Sequence, residues 1–190
     1  MRPLRFDPQP TLQGERIALR PLQQSDREAL WTVACDQLLW AQHPDKTRAE
    51  PAGFERFFQQ SMESGSALLI SDSNSGAVIG SSRYYDWDPM LREVAIGYTF
   101  LARSHWGGAV NLELKRLMIT YAAQWVRCIW FHVGTTNMRS RRAMEKIGAT
   151  AMFEGKRPLN GAPVDFIYYC IDSTFWRYPV PGAAHAELRA

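Results

Sequence analysis

The spacing of polar and apolar positions changes several times along the chain, and each change predicts an element. Residues 16–20 alternate polar and apolar side chains, the period of a half-buried strand. Ser25, Asp26, Arg27 and Glu28 have the form of a capping box, which predicts a helix running on through Leu30 and Val33. In 50–62, Phe54, Phe57 and Phe58 share one side of a second helix. Residues 68–70, the polar turn 73–76 and residues 77–79 read as strand, turn and strand, and 93–101 as a further strand. After Gly107 the period becomes helical, with Leu114, Leu117, Met118, Tyr121 and Trp125 forming one apolar face. A short strand at 128–133 and a helix at 137–147, stopped by Gly148, come next. Met152, Phe153, the Asn160-Gly161 turn and residues 164–171 suggest a closing hairpin. The order is β-α-α-β-β-β-α-β-α-β-β, an α/β chain. Its strand-helix-strand units require some parallel pairing, so the sheet should be mixed.

Composition narrows the class. With 190 residues, 46% hydrophobic and 22% charged, the chain suits one globular domain. That domain is expected over 11–178, with 1–10 and 179–190 as loose terminal arms. No apolar run approaches the length of a bilayer span, and Asp7 and Pro8 spoil a signal peptide, so a cytoplasmic location without membrane partner is expected. Cys35, Cys128 and Cys170 are odd in number and form no CxxC pair, which argues against a disulfide framework and a structural zinc; no metal is expected. A net charge of +3 does not call for a nucleic-acid partner. The cluster Arg139, Arg141, Arg142 and Lys146 reads first as a solvated helix face.

The chemistry concentrates where a strand runs into a long helix, Tyr98-Thr-Phe-Leu-Ala-Arg-Ser-His-Trp-Gly-Gly-Ala-Val-Asn111. A helix N-terminus exposes unpaired N–H groups and partial positive charge, and glycines let a phosphate come close to the backbone. Neither GxxxxGK[ST] nor GxGxxG occurs, so the usual nucleotide motifs do not compete.

This junction resembles the coenzyme A pyrophosphate loop of the GNAT superfamily, Gln/Arg-x-x-Gly-x-Gly/Ala. Trp106 and Gly107 match the Trp-Gly of Rim-type ribosomal-protein acetyltransferases, and Asn111, Glu113 and Lys115 match a subgroup's Asn-x-Glu-x-Lys. Trp106 replaces a polar residue, Ala109 stands where the family has glycine, and Asn111 replaces Gly/Ala; none of these removes an amide donor. Leu12-Gln-Gly-Glu-Arg-Ile-Ala-Leu-Arg-Pro-Leu22 resembles the Rim-type opening. Asn137, Ser140 and Glu145-Lys-Ile-Gly148 resemble the family's Asn-x-x-Ser…Glu-Lys-Leu-Gly-Phe, with Ala149 for the aromatic. Three matches in the right order carry more than any one.

The resemblance implies a GNAT fold, a mixed sheet of about seven strands flanked by about four helices. It implies an N-acyltransferase taking an acetyl group from acetyl-CoA to the amine of a peptide N-terminus, an amino acid or a small molecule. By the same resemblance Phe100, Leu101, Arg103, Trp106, Gly107, Gly108, Ala109, Val110 and Asn111 face coenzyme A, joined by Asn137, Ser140 and Arg141. Ser140, or else water, would protonate the leaving thiolate, because Met144 occupies the position of the family's usual tyrosine acid, and deprotonation of the amine by water without a dedicated base stays open. Glu93 leads the candidates for general base, ahead of Asp165, His132 and Tyr168; His105 more readily shapes the phosphate loop. Tyr84, Tyr85 and Trp87 could line an acceptor pocket, although packing is the simpler role for aromatics, Trp125 and Trp130 included. Family habit and aromatic content allow a homodimer. Met144, Ala95 and Ala109 favour an alternative, an acyl-CoA-binding sensor or accessory protein with weak catalysis. A basic nucleic-acid-binding domain ranks third.

Overall fold

The computed structural model describes residues 6–177. Eight strands make one sheet: β1 (Leu12–Gln13), β2 (Ile17–Pro21), β3 (Ala67–Asp72), β4 (Val78–Asp88), β5 (Glu93–Leu101), β6 (Cys128–Gly134), β7 (Thr150–Leu159) and β8 (Ala162–Asp172). Their spatial order is β1-β2-β3-β4-β5-β6-β8-β7. All pairs are antiparallel except β5 with β6, which is parallel. Four α-helices accompany them: α1 (Arg27–Ala34), α2 (Pro51–Glu63), α3 (Ala109–Ala122) and α4 (Met138–Lys146). The mixed α/β architecture expected from the sequence is present, with one strand more than anticipated.

The sheet separates two apolar layers, and β3 shows why. Its side chains alternate, Leu68 and Ile70 joining one core while Ala67 and Leu69 join the other. The first core also takes Leu114, Met118, Ile119 and Ala122 of α3, and the second takes Phe54, Phe57 and Phe58 of α2. Helices thus cover both faces, as a sheet with a parallel pair requires.

Several elements differ from expectation. β1 is two residues long, too short to show a period, and it supplies the additional strand. The box before α1 sits two residues earlier: the Gln23 N–H donates to Asp26 Oδ2 (2.8 Å), at a 3-10 turn of Gln24–Asp26. Arg20 forks onto the same carboxylate at 2.7 and 2.6 Å. Burial opposes ionisation of Asp26, yet these donors outweigh it and hold the carboxyl below its usual range. Trp125 lies beyond the end of α3. Phe6, placed by the sequence in a loose arm, is buried against Tyr84, Trp87 and Tyr121. Residues 1–5 and 178–190 of the expected arms lie outside the described residues. Cys128 and Cys170, distant in sequence, are free thiols with Sγ atoms 3.2 Å apart on neighbouring strands.

One contact joins two of the motifs. Glu113 of α3 is buried and accepts from the Arg16 N–H (3.0 Å). Its carboxylate fills the space beside Gly14, where a Cβ would lie 2.1 Å from Oε1. The glycine of Gly14-Glu15-Arg16 leaves room for Glu113, which pins α3 to the turn between β1 and β2.

Candidate active site

β5 and β6 begin as neighbours and then part. Their ladder covers only Glu93 to Ala95 against Cys128 to Trp130, whereas β5 continues to Leu101 and β6 to Gly134. Beyond Ala95 a cavity of about 190 Å³ opens between them, lined by Ile96 to Leu101 on one side and Phe131 to Gly134 on the other. Strand backbone facing such a gap has lost its ladder partner and offers hydrogen bonds to an extended ligand.

Two features shape the β5 wall. Between the pairs Ser81–Phe100 and Arg83–Gly97, β5 carries two residues against one of β4, a β-bulge. Tyr98, in this bulge, has φ 52°, a left-handed conformation that costs a non-glycine residue on the order of 1 kcal/mol or more. The Arg83 guanidinium lies over its ring at 3.5 Å and helps to hold it there.

At the mouth of the cleft stands the N-terminus of α3. Gly107 (φ 71°) makes the left-handed turn out of the 3-10 segment Arg103–His105, and Gly108 is the N-cap, with no side-chain cap for the first-turn N–H groups. A Cβ on either glycine would meet no atom within 4 Å, so the backbone is open from outside. Trp106 is fixed by its Nε1–H to Leu101 O (2.8 Å), and Arg139 of α4 stacks on its face at 3.8 Å. Arg139 forms no ion pair with a carboxylate among the described residues; its Nη2 donates to Leu39 O at 3.0 Å. Uncapped amides and an uncompensated guanidinium together suit a phosphate.

α4 forms the opposite wall. Asn137 is buried and caps it, accepting from the Ser140 N–H at 3.2 Å, which leaves the Ser140 side chain on the cleft lining beside Ala143 and Met144.

Residues 16–150 match the family described as Acetyltransferase (GNAT) domain. The chain belongs to the GNAT acetyltransferase family. Solved structures share the fold at low identity. A GCN5-related N-acetyltransferase from Brucella melitensis is 20% identical, with 90% of this chain and 84% of that one covered and a TM-score of 0.77. A GNAT-family acetyltransferase from Bacillus anthracis is 17% identical, covering 87% and 99%, with a TM-score of 0.69. Mycobacterium smegmatis RimJ in complex with CoA-disulfide is 18% identical, covering 87% and 88%, with a TM-score of 0.70.

Set on this GNAT fold, the residues picked from sequence divide. Phe100, Leu101, Trp106, Gly107, Asn111, Asn137 and Ser140 line the cleft together. Gly108, Ala109 and Val110 belong to the adjacent helix start without lining it. Arg103 points away and pairs with Asp36. Arg141, expected at coenzyme A, donates Nη1 to Thr135 O (3.1 Å) and is absent from the lining, which Arg139 of the same cluster joins instead. Glu93 sits at the closed end, accepting from Trp130 Nε1 (3.0 Å) outside the cavity, a position that does not suit the base. Tyr168 stacks on Phe153 at 4.4 Å, and neither it nor the exposed Asp165 lines the cleft. Of the expected acceptor aromatics, Tyr84 is core and donates to Met118 O (2.8 Å), Trp87 packs on Phe6, and Tyr85 lies 2.8 Å from His132 Nδ1. His105 lies near Asp72, beside the loop as expected, with Nε2 3.9 Å from Oδ2.

The titratable groups inside the cleft are His43, Tyr98, Lys115, His132 and Arg139. Burial, with Arg48 nearby, pushes His43 down to about 3. Burial, with Arg157 nearby, pushes His132 down to about 4, and Arg157 Nη1 donates to its Nδ1 (2.7 Å). Both imidazoles are neutral and weakly basic at pH 7. Lys115 differs. Its ammonium is buried under the divergence of the strands, Nζ donating to Thr99 Oγ1 (3.1 Å), which lies 2.7 Å from Ser82 Oγ. Burial alone lowers its pKa to about 7, so the amine is poised between its two forms near neutrality. The face read through Leu114, Leu117, Met118, Tyr121 and Trp125 left Lys115 out, but the buried stripe of α3 runs through Leu114, Met118, Ile119 and Ala122 and includes it.

Proposed function

We propose that the chain is an N-acyltransferase that moves an acetyl group from acetyl-CoA to a primary amine of a peptide N-terminus, amino acid or small molecule, by direct attack within a ternary complex. The observation that carries this reading is the divergence of β5 from β6 directly over the uncapped N-terminus of α3. An extended thioester arm fits between the strands, and a pyrophosphate fits the helix start with Arg139 and the Trp106–Gly107 turn beside it. Acetyl-CoA supplies the activated carbonyl; the chain supplies position, charge stabilisation and proton movement.

In this reading the backbone of Phe100 and Leu101 faces the thioester carbonyl. The amine nitrogen attacks the carbonyl carbon, the C–S bond breaks, and the thiolate takes a proton from Ser140 on α4, which regains one from the nitrogen as the amide forms. Lys115, rather than Glu93, is the group suited to take the proton of the attacking ammonium, because it lies in the cleft and titrates near 7. Asn137 positions the first turn of α4. The Rim-type kinship, the cytoplasmic location, the homodimer and the 11–178 domain belong to the same proposal. Met144, unable to donate a proton at the family's usual acid position, favours the second reading of an acyl-CoA-binding protein with weak catalysis.

Acetyl-CoA should raise the melting temperature, since a ligand that binds only the folded state stabilises it, and mass spectrometry should find acetylated amine in a panel of peptides and amines. A shift without any product would select the second reading. No shift at millimolar acetyl-CoA would remove both.

A further inference from the structure

A second cavity, of about 340 Å³, lies on the other side of Tyr98, which lines both. Its walls come from α2, from the 3-10 segment Lys46–Ala49, from β4 and from Pro158, Leu159 and Asn160 at the tip of the β7–β8 hairpin. Three guanidiniums face it, Arg48, Arg56 and Arg83, against one carboxylate, Asp45.

These charges are held at a cost. Arg48 is buried within Trp40, Phe57 and Tyr98, with ring centroids at 5.5, 4.8 and 5.8 Å from its Cζ. Its Nε donates to Asp45 Oδ2 (3.2 Å), which accounts for the single carboxylate. Arg83 is equally buried; its Nη1 donates to Gln60 O (2.8 Å) near the end of α2, and its Nε has no hydrogen-bond partner. Arg56 is exposed on the rim and donates Nη2 to Thr47 Oγ1 (3.2 Å). Burying a guanidinium without a counter-charge is unfavourable unless something supplies one. A carboxylate or phosphate does so, accepting paired N–H donors in one plane. Packing alone accounts for Arg48, which has its aromatic box and Asp45. It leaves the Nε of Arg83, whose guanidinium stacks on Tyr98 at 3.5 Å, without a partner and the surplus positive charge without a counter-charge.

We infer that this cavity is the acceptor subsite, and that the acceptor carries an oxyanion, a carboxylate or a phosphate, in addition to the amine it presents past Tyr98 to the thioester. The inference rests on the acetyltransferase reading and narrows it. Simple alkylamines are poor acceptors, and amines bearing an acidic group are good ones. Tyr98 divides the two cavities: it lines both, sits in the bulge at φ 52°, and carries Arg48 and Arg83 against its ring.

The test uses purified full-length chain with acetyl-CoA and acceptors paired to differ only in charge. The pairs are alanine with alaninamide, serine with serinamide, phosphoethanolamine with ethanolamine, and the amidated peptides Ser-Glu-Ala-Ala with Ser-Gln-Ala-Ala. Released coenzyme A thiol gives kcat/KM. At least one acidic member should exceed its neutral partner by tenfold or more, and which pair responds separates carboxylate from phosphate and small molecule from peptide. Arg83→Gln should remove most of that preference. Arg56→Gln, on the exposed rim where folding is not at risk, should reduce it about threefold, with acetyl-CoA's thermal shift unchanged. Acetyl-CoA binding with no acidic member preferred, or with neutral acceptors equally weakened by both variants, overturns the inference and leaves acyl-CoA binding intact. Loss of acetyl-CoA binding by the unmodified chain would overturn the acetyltransferase reading itself.

Discussion

The two ends of the β5–β6 contact are built from the same strands and do opposite things. At the Glu93–Ala95 end the ladder is closed, Val94 and Ile129 are fully buried, and the carboxylate of Glu93 is occupied by Trp130. At the Ile96–Leu101 end the ladder is missing, and a lysine occupies the space beneath it. In the proposed mechanism, chemistry follows lost pairing rather than residue type. A carboxylate on the closed half is a structural hydrogen-bond acceptor. An amine under the open half is desolvated, lines the cleft and has its pKa lowered to about 7.

Lys115→Met breaks this comparison most severely. If Lys115 accepts the amine proton, turnover should fall by roughly 10²–10⁴-fold, a typical loss for a general base, and the limb of the rate profile near pH 7 should vanish. Stability should move the other way. The folded pKa of about 7 lies below that of an unfolded lysine. The unfolded chain therefore binds the extra proton between about pH 7 and about pH 10.4, and stability rises with pH across that window. The wild type carries the full cost below pH 7 and sheds it toward pH 10. Lys115→Met should thus be the more stable by a few kcal/mol at pH 6, an advantage that fades by pH 10. Thermal melts at the two pH values check it. Equal melting temperatures at pH 6 would mean that the ammonium is not desolvated.

Ser140→Ala should lower turnover by roughly ten- to a thousandfold while acetyl-CoA affinity stays the same, because Asn137 still caps α4 through the residue 140 backbone. Unchanged turnover returns Ser140 to the first turn of a helix and nothing more. Glu93→Gln carries the smallest expected effect. The amide keeps an oxygen for Trp130 Nε1, so kcat and the pH profile should match the wild type within about twofold. A lost basic limb in that variant would reverse the comparison between the two ends.

What the sequence disclosed follows the same division. Elements whose side chains meet one core were legible: the apolar stripe of α3 and the alternation of β2 are visible because burial imposes a period. The Asn160-Gly161 turn was legible because both residues need positive φ, at 50° and 81°. β7 was nearly silent. Most of it is exposed, Met152 and Phe153 included, so no period marks it. The open cleft was not legible at all, since a missing ladder leaves no trace in side-chain order. The sequence placed Glu93 on the strand 93–101, but it could not say that the ladder would still be closed at Glu93 and open by Gly97. Arg48 and Arg83 escaped notice for a related reason: isolated arginines in polar surroundings give no sign that aromatic rings from other elements will bury them.

The most direct test of the central claim is calorimetric titration of acetyl-CoA into the wild type and Gly107→Asp. Gly107 lines the mouth of the cleft, and an aspartate there would also have to take up φ 71°. At about 5 Å and an effective dielectric near 20, one carboxylate opposes one phosphate charge by about 3 kcal/mol before screening. The account predicts tight binding by the wild type and a ten- to hundredfold weaker affinity in the variant, about 1.4–2.8 kcal/mol, with circular dichroism showing an intact fold. A folded Gly107→Asp protein that binds acetyl-CoA as well as the wild type would contradict it, because the cofactor would then not lie at the start of α3.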